Sequence, residues 1–540
     1  MSSTASSPKP NETDSSKERE ASTDVEGQGF KLLGRYDLDA LFSRQPLDFD
    51  LFSQLTHMSA VATSGMSRAQ LFAGTAGLSY STSKYFRQVH LVAQRLGYDY
   101  SRACELVSET VDNEAARNLL LHFATSLSAG EEEKEFLLRE TALQLETYGK
   151  EYGRKIESLQ KWSDAYVALM VSATLVVVIS MVSMMIYPFS PIAIFALAAL
   201  MVCVTFLGGW LIFTVAPVEV KTHSLRHRSP EQERAGKLAK VMLPAAAVAG
   251  LGAGMLFGMA AALFASGLLI APIGLVAFLD DRRIDARGRD IATFVRALGG
   301  VMAAAGITAT DALGRLNRRS LGSLEPSVRR LHIRLKNGIS PDLCWLRLAG
   351  ESGSELVTRC VRIFWDGVRS GGDTKQVSEL ASDFALKNWL LRADRKMVST
   401  TFSFVVLPLH AVLLAILLFI TQVVLVFNDQ ISAIQMSEAD ASLLNEAGVD
   451  NAILMQFSGA NFLPVFVGTV ALFITAANSF APYAAMGGHR LKLCLYAAIM
   501  MVMSGVIMFI VPQVVQGLFQ NIASTGFEPG TPTPVPGGGL

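Results

Sequence analysis

Seven stretches of this chain run for about twenty residues with hardly a charge in them, and that pattern leaves few folds open. In hydrocarbon every backbone N–H and C=O must find its partner within the protein, so such stretches are expected to cross a bilayer as helices. They run from about Asp164 to Tyr187, Ile192 to Val215, Val241 to Phe264, Ala265 to Leu279, Thr400 to Phe427, Phe462 to Ala485 and Leu493 to Val515. The fourth is short, and its boundary with the third rests on Ser266-Gly267 alone. Sustained two-residue alternation is almost absent, so the expected fold is an all-α polytopic membrane protein with about seven transmembrane helices.

Only 17% of the 540 residues are charged, and their placement orients the spans. The connection between spans two and three carries Lys221, Arg226, Arg228, Arg234, Lys237 and Lys240; the turn between six and seven carries Arg490 and Lys492. The segment from Asn428 to Asn461 has acids but no Lys or Arg, and neither does the chain after Gln520. Basic connections stay in the cytoplasm, so the N-terminus is expected inside and the C-terminus outside the cell membrane. The expected organisation is a disordered tail (1–34), a first cytoplasmic domain (35–162), spans one and two (163–215), a basic loop (216–240) and spans three and four (241–279). A second cytoplasmic domain (280–399), span five (400–427), an external acidic loop (428–460), spans six and seven (461–517) and an external Pro/Gly tail (518–540) complete it. The first 29 residues lack an apolar core, so they read as a disordered tail and not as a signal peptide.

The two polar domains repeat each other. Ala62-Thr-Ser-Gly65-Met-Ser67 answers to Ala303-Ala-Ala-Gly306-Ile-Thr308, an offset of 241 from Gly65 to Gly306. The same offset relates Ala103 to Cys344, Leu120 to Val361, Phe123 to Phe364 and Gly130 to Gly371. Gly65 and Gly306 end an apolar helical pattern where a left-handed cap is wanted, and Ser67 and Thr308 can cap the next helix. Gly130 and Gly371 punctuate each copy before a last long helix, which then meets no breaker before the next span. Trp162 and Trp389 fall near those boundaries and read as interface aromatics.

Chemistry is hard to find. There is no phosphate-binding loop, no HExxH, no GxSxG and no metal-spaced His/Cys cluster. Five scattered cysteines read as small buried hydrophobes. His223 and His227 read as juxtamembrane charge. No acid or base sits at the middle of a span, where ion and proton pathways keep them. His410, Gln422 and Asn478 read as helix–helix hydrogen bonders, and Pro408 as a kink. The chain is therefore expected not to be an enzyme, and to need no cofactor or metal. Zero net charge gives no reason to expect a nucleic-acid partner.

The second copy is basic. Arg282, Arg283, Arg287 and Arg289 follow span four and read as anchors to lipid headgroups. Farther on, Arg315, Arg318, Arg319, Arg329, Arg330, Arg334 and Lys336 suit either lipid or an acidic partner.

Two helical domains, each with a small-residue helix turn, a later Ser/Ala-Gly-Glu/Asp turn and a run into a span, resemble the type II secretion F-domain family. Gln54-Leu-Thr-His-Met-Ser-Ala-Val-Ala-Thr-Ser-Gly-Met-Ser-Arg68 and Lys161-Trp-Ser-Asp-Ala-Tyr-Val-Ala-Leu-Met-Val-Ser-Ala-Thr174 look most like its archaeal branch. The resemblance covers roughly Phe49 to Val515. It implies duplicated F domains and a membrane platform that builds a type IV pilus-like filament, an archaellum or an archaeal pilus. It implies a cytoplasmic hexameric secretion ATPase and prepilin- or archaellin-like subunits as partners, beside membrane lipids and, as one assembly it allows, a homodimer. In that setting Arg315, Arg318, Arg319, Arg329, Arg330 and Arg334 are expected to face the ATPase. The alternative reading is the membrane subunit of a transporter driven by a separate ATPase.

Overall fold

A computed structural model describes residues 47–183, 191–223, 229–435 and 463–526. The expected N-terminal tail, most of the acidic loop, the end of the Pro/Gly tail and His227 lie outside the described residues.

The first polar module starts with α1 (Leu47–Ala62), buried nearly end to end although it carries Asp50, Gln54 and His57. Gly65, at φ +67°, turns the chain, and Ser67 donates through its N–H and hydroxyl to Gln70 Oε1 at the start of α2 (Arg68–Ala76). Then come α3 (Ser83–Leu96), α4 (Tyr100–Ser108) and α5 (Glu114–Ser128). Asp99 caps α4 and Asn113 caps α5, each accepting from a first-turn N–H. Gly130, at φ +73°, precedes α6 (Glu133–Ser183), a single helix of 51 residues that holds the first span. The hairpin is closed by α7 (Pro191–Val215).

Helix α8 (Pro230–Phe257) carries span three and α9 (Met259–Ala305) carries span four and the start of the second module. The second module continues with α10 (Ala309–Arg315), a 3-10 turn (Arg318–Leu324), α11 (Glu325–Lys336), α12 (Pro341–Ser352) and α13 (Glu355–Arg369). Helix α14 (Thr374–Gln435) runs 62 residues through span five, roughly 93 Å at 1.5 Å per residue, and Pro408 does not break it. Spans six and seven are α15 (Leu463–Met486) and α16 (Leu493–Gly526).

The repeat seen in the sequence is a repeat of structure. Moved by 241 residues, α2, α4, α5 and α6 start where α10, α12, α13 and α14 start. Three pairs of left-handed glycines fall at the same offset: Gly65 and Gly306, Gly97 and Gly338, Gly130 and Gly371. A side chain at these turns would have to adopt a conformation that L-residues avoid, which is why glycine stands there in both copies.

Two expectations need correcting. Spans three and four divide at Gly258, at φ +85°, and not at Ser266-Gly267, which lies inside α9. Gly267 is a packing residue instead. A Cβ there would lie 2.9 Å from Val502 on α16, and one at Gly274 would lie 2.4 Å from the Leu495 backbone. Glycine at these positions lets spans four and seven approach backbone to backbone. Trp389 packs against the core of the second module and is not an interface aromatic.

Inside the bilayer region a chain of polar groups ties four spans. Tyr166 donates to Asn478 Oδ1 (2.6 Å), and Asn478 Nδ2 donates to His410 Nδ1 (3.0 Å). His410 Nε2 meets Ser504 Oγ at 2.9 Å, and Ser504 meets Thr475 at 2.8 Å. This is the helix–helix role expected of His410 and Asn478, with each buried polar group satisfied.

Candidate functional site at the root of the second module

The extended segment after α7 decides how the second module meets the membrane. Ala216 to His223 runs against the start of α13, where Glu355 N–H donates to Lys221 O at 2.9 Å. Its side chains enter a buried charge cluster. Glu219 pairs with Arg392, and with Arg395 Nη1 at 3.2 Å, both on α14. Lys221 Nζ lies 3.3 Å from Asp281 Oδ1 and 3.2 Å from Asp285 Oδ1, both on α9. Lys492, from the turn between α15 and α16, closes on Asp281 Oδ2 at 2.6 Å. Lys396 on α14 reaches Asp285 at 2.9 Å.

Backbone groups complete the cluster. Arg395 donates to Ala485 O (3.0 Å) and Pro217 O (2.9 Å), so its fork spans α15 and the extended segment. Left-handed Gly487 and Gly488 bring the α15–α16 turn in close. A Cβ on Gly487 would meet Arg395 at 2.7 Å, and one on Gly488 would meet Asp281 Oδ1 at 2.7 Å. Five segments therefore converge where α14 passes from module to span. Lys221 and Lys492 read from sequence as loop charges that orient the spans. Here they are 7% and 1% exposed and paired to acids. Their charge pattern was visible, but the partners lie 60 and 211 residues away.

Of the expected lipid anchors after span four, Arg282 is exposed and the other three find partners within the protein. Arg283 pairs with Glu231, Arg287 Nη1 donates to Ser352 O at 2.6 Å, and Arg289 pairs with Asp290 at 3.1 Å. Burial opposes charge on Asp290, but the Ser323 backbone N–H and hydroxyl, with Arg289, hold its carboxyl below the usual range. His223 is buried, with Nε2 2.9 Å from Gly350 O, and does not lie exposed on the membrane surface.

The modules meet through α1. Arg359 on α13 pairs with Asp50 at 2.6 Å and Glu355 at 2.7 Å, and donates to Ser53 Oγ at 2.8 Å. It also stacks over Phe49 and Tyr80, 4.2 and 4.5 Å from their ring centroids. His57 meets Asp366 at 2.9 Å. None of this was legible from α1 alone, whose polar residues read as a family likeness without a role.

The arginines expected to face a partner fall into two groups. Arg330 Nε and Arg334 Nη2 both bind Glu351. Burial pushes the Glu351 carboxyl up, but the two guanidinium groups outweigh it and hold it low. Arg315, Arg319 and Arg329 are exposed and make no ion pair with any described residue. The side chain of Arg318 lies outside the described residues. Among the described residues no three His, Cys, Asp or Glu side chains gather as a metal site would require.

Comparison with known proteins agrees with this architecture. Residues 294–422, from within α9 to within α14, match the family described as type II secretion system (T2SS), protein F. The chain is 24% identical over 426 residues to flagella accessory protein J of Methanocaldococcus jannaschii, covering 76% of this chain and 73% of that one. It is 21% identical over 318 residues to the protein of the same name from Methanococcus voltae, covering 54% and 55%.

Proposed function

We propose that this chain, which carries a type II secretion system protein F domain and is related to the archaeal flagella accessory protein J, is a membrane platform for assembling a type IV pilus-like filament. The observation that carries this reading is mechanical. Each module continues into a span as one unbroken helix, α6 or α14, and the second is clamped at its root by ion pairs to the extended segment and to α9, which Lys492 braces in turn. A displacement of the second module therefore reaches the spans instead of being absorbed by a flexible joint.

In this reading the modules face the cytoplasm and a secretion ATPase supplies the energy. Arg315, Arg319 and Arg329, which pair with no acid among the described residues, meet an acidic face of that ATPase. Pilin-like subunits are handed on in the membrane. The chain itself does no covalent chemistry.

The test is a deletion strain complemented with a variant carrying Gly-Ser-Gly-Gly between Met397 and Val398, where α14 leaves the module. The expected result is normal membrane abundance with no surface filaments by electron microscopy, while the wild-type gene restores them. Filaments at wild-type number from the interrupted helix would overturn the reading.

A further inference from the structure

Each module sets one helix pair side by side at the same offset, α4 on α5 and α12 on α13, but one place differs. Where the first module has Cys104 and Ala124, the second has Trp345 and Trp365 at the same offset of 241. The indoles stack with centroids 5.5 Å apart and 23° between planes. They line an open cavity of about 240 Å³ with Asp342, Leu346, Arg362 and Asp366. The first module shows that this helix pair packs without any tryptophan, so the aromatic slot is not required by the fold.

The hydrogen-bonding account of the slot is one-sided. Asp342 already accepts from Trp365 Nε1 (2.7 Å) and Arg369 Nη1 (3.0 Å), and Asp366 already meets His57. The donors are not matched. Arg362 makes no hydrogen bond or ion pair with any described residue, and Trp345, 1% exposed, has an indole N–H with no partner among them. A buried donor left unpaired is costly, and a guanidinium beside indole faces is a ready carboxylate receptor. What enters should therefore bring acceptors and an apolar body.

Size and position narrow the occupant. The cavity is smaller than the 300 to 1,000 Å³ typical of drug-sized ligands and holds one or two side chains. It also lies along α13 from the membrane root. The start of α13 touches the membrane-root segment, as the Glu355 N–H to Lys221 O bond shows. Trp365 is then eleven residues along α13 from its cap Ser354, roughly 16 Å at 1.5 Å per residue. Leu346, 47% exposed, stands at the rim and adds apolar surface for a partner to cover.

We propose that the Trp345–Trp365 slot is a docking site for an acidic segment of a protein partner, which seats one large apolar side chain between α12 and α13 and a carboxylate on Arg362. The proposal rests on the platform reading only in placing that partner in the cytoplasm; binding itself can be measured whether or not filaments depend on this chain.

The test uses the full chain in nanodiscs of uncharged lipid and a fluorescein-labelled peptide, capped at both ends, with two Glu flanking one Phe in a Gly/Ser background. Anisotropy should show saturable binding, weakened at least tenfold when both Glu become Gln or the Phe becomes Ala. Arg362→Gln should weaken it at least tenfold, and so should Leu346→Glu, a rim change that leaves the core intact. Absence of binding to the folded wild-type chain, or equal binding by the Gln peptide or by both variants, would overturn the proposal. So would protection of Trp365 from a water-soluble quencher by anionic-lipid nanodiscs but not by the peptide, since lipid would then be the occupant.

Discussion

Lys492 and Asp281, 211 residues apart in sequence, meet at 2.6 Å in a site where neither side chain is more than a few per cent exposed. One belongs to the turn between the last two spans and the other to the helix that carries span four into the second module. Lys221 approaches the same carboxylate, so one acid serves two buried cations.

Replacing that acid should be expensive. Asp281→Asn leaves Lys492 and Lys221 short of countercharge, and breaking a buried pair from one side costs about 3–5 kcal/mol. The thermal midpoint of the full chain in nanodiscs should fall markedly. Adding Lys492→Met should recover much of the loss, because it removes an orphaned charge. A wild-type midpoint for Asp281→Asn would show that the cluster carries no stability.

The crossing of spans four and seven makes a second demand. Gly274→Val places side-chain atoms where the Leu495 backbone lies, 2.4 Å from even a Cβ. It should abolish a monodisperse peak on size exclusion in detergent. Gly252→Ala, in span three with nothing within 4 Å, should elute as wild type does. Equal behaviour of the two variants would contradict the close packing.

Arg359 should resist conservative change. Its planar fork serves Asp50, Glu355 and Ser53 while stacking on two rings, and an ammonium group cannot do all of this. Arg359→Lys is expected to cost about 2–3 kcal/mol, in the range of a damaged buried network. Hydrogen exchange across α1 should speed up in proportion; unchanged protection of residues 50 to 60 would count against the clamp.

Glu351 gives a pH-dependent prediction. Arg330 and Arg334 lower its folded-state value, so the native state binds its proton less readily than the unfolded chain does. The stabilisation is present above the ordinary value of 4.5 and is lost as pH falls through the lowered one. Glu351→Gln should therefore lower the thermal midpoint at pH 7 and matter progressively less towards pH 3. A deficit that is constant across that range would rule out the charge pairing as its source.

Much of this architecture was legible because its signals are local. Span lengths, the offset of 241 and the Gly65, Gly130, Gly306 and Gly371 turns all follow from short-range rules of apolarity and backbone conformation. Gly97 with Gly338, and Asn113 with Ser354, carried the same signal and needed only a longer comparison. The junction was not legible, because a lysine on a surface and a lysine closing on an aspartate 211 residues away look alike in one dimension. Ser266-Gly267 misled for a related reason: a small residue that permits a helix crossing reads the same as one that ends a helix, until the crossing helix is seen.

The double allegiance of α1 has a consequence for how the chain reaches its native state. Leu51, Leu55 and Met58 belong to the core of the first module, whereas Phe49, Phe52 and Ala60 are buried in the core of the second. A ribosome delivers α1 early, yet Arg359 and Asp366, which seal its far side, emerge some 300 residues later, after four spans have been threaded into the bilayer. Until then an apolar helix face waits uncovered, the kind of nascent surface that attracts chaperones and invites misassembly.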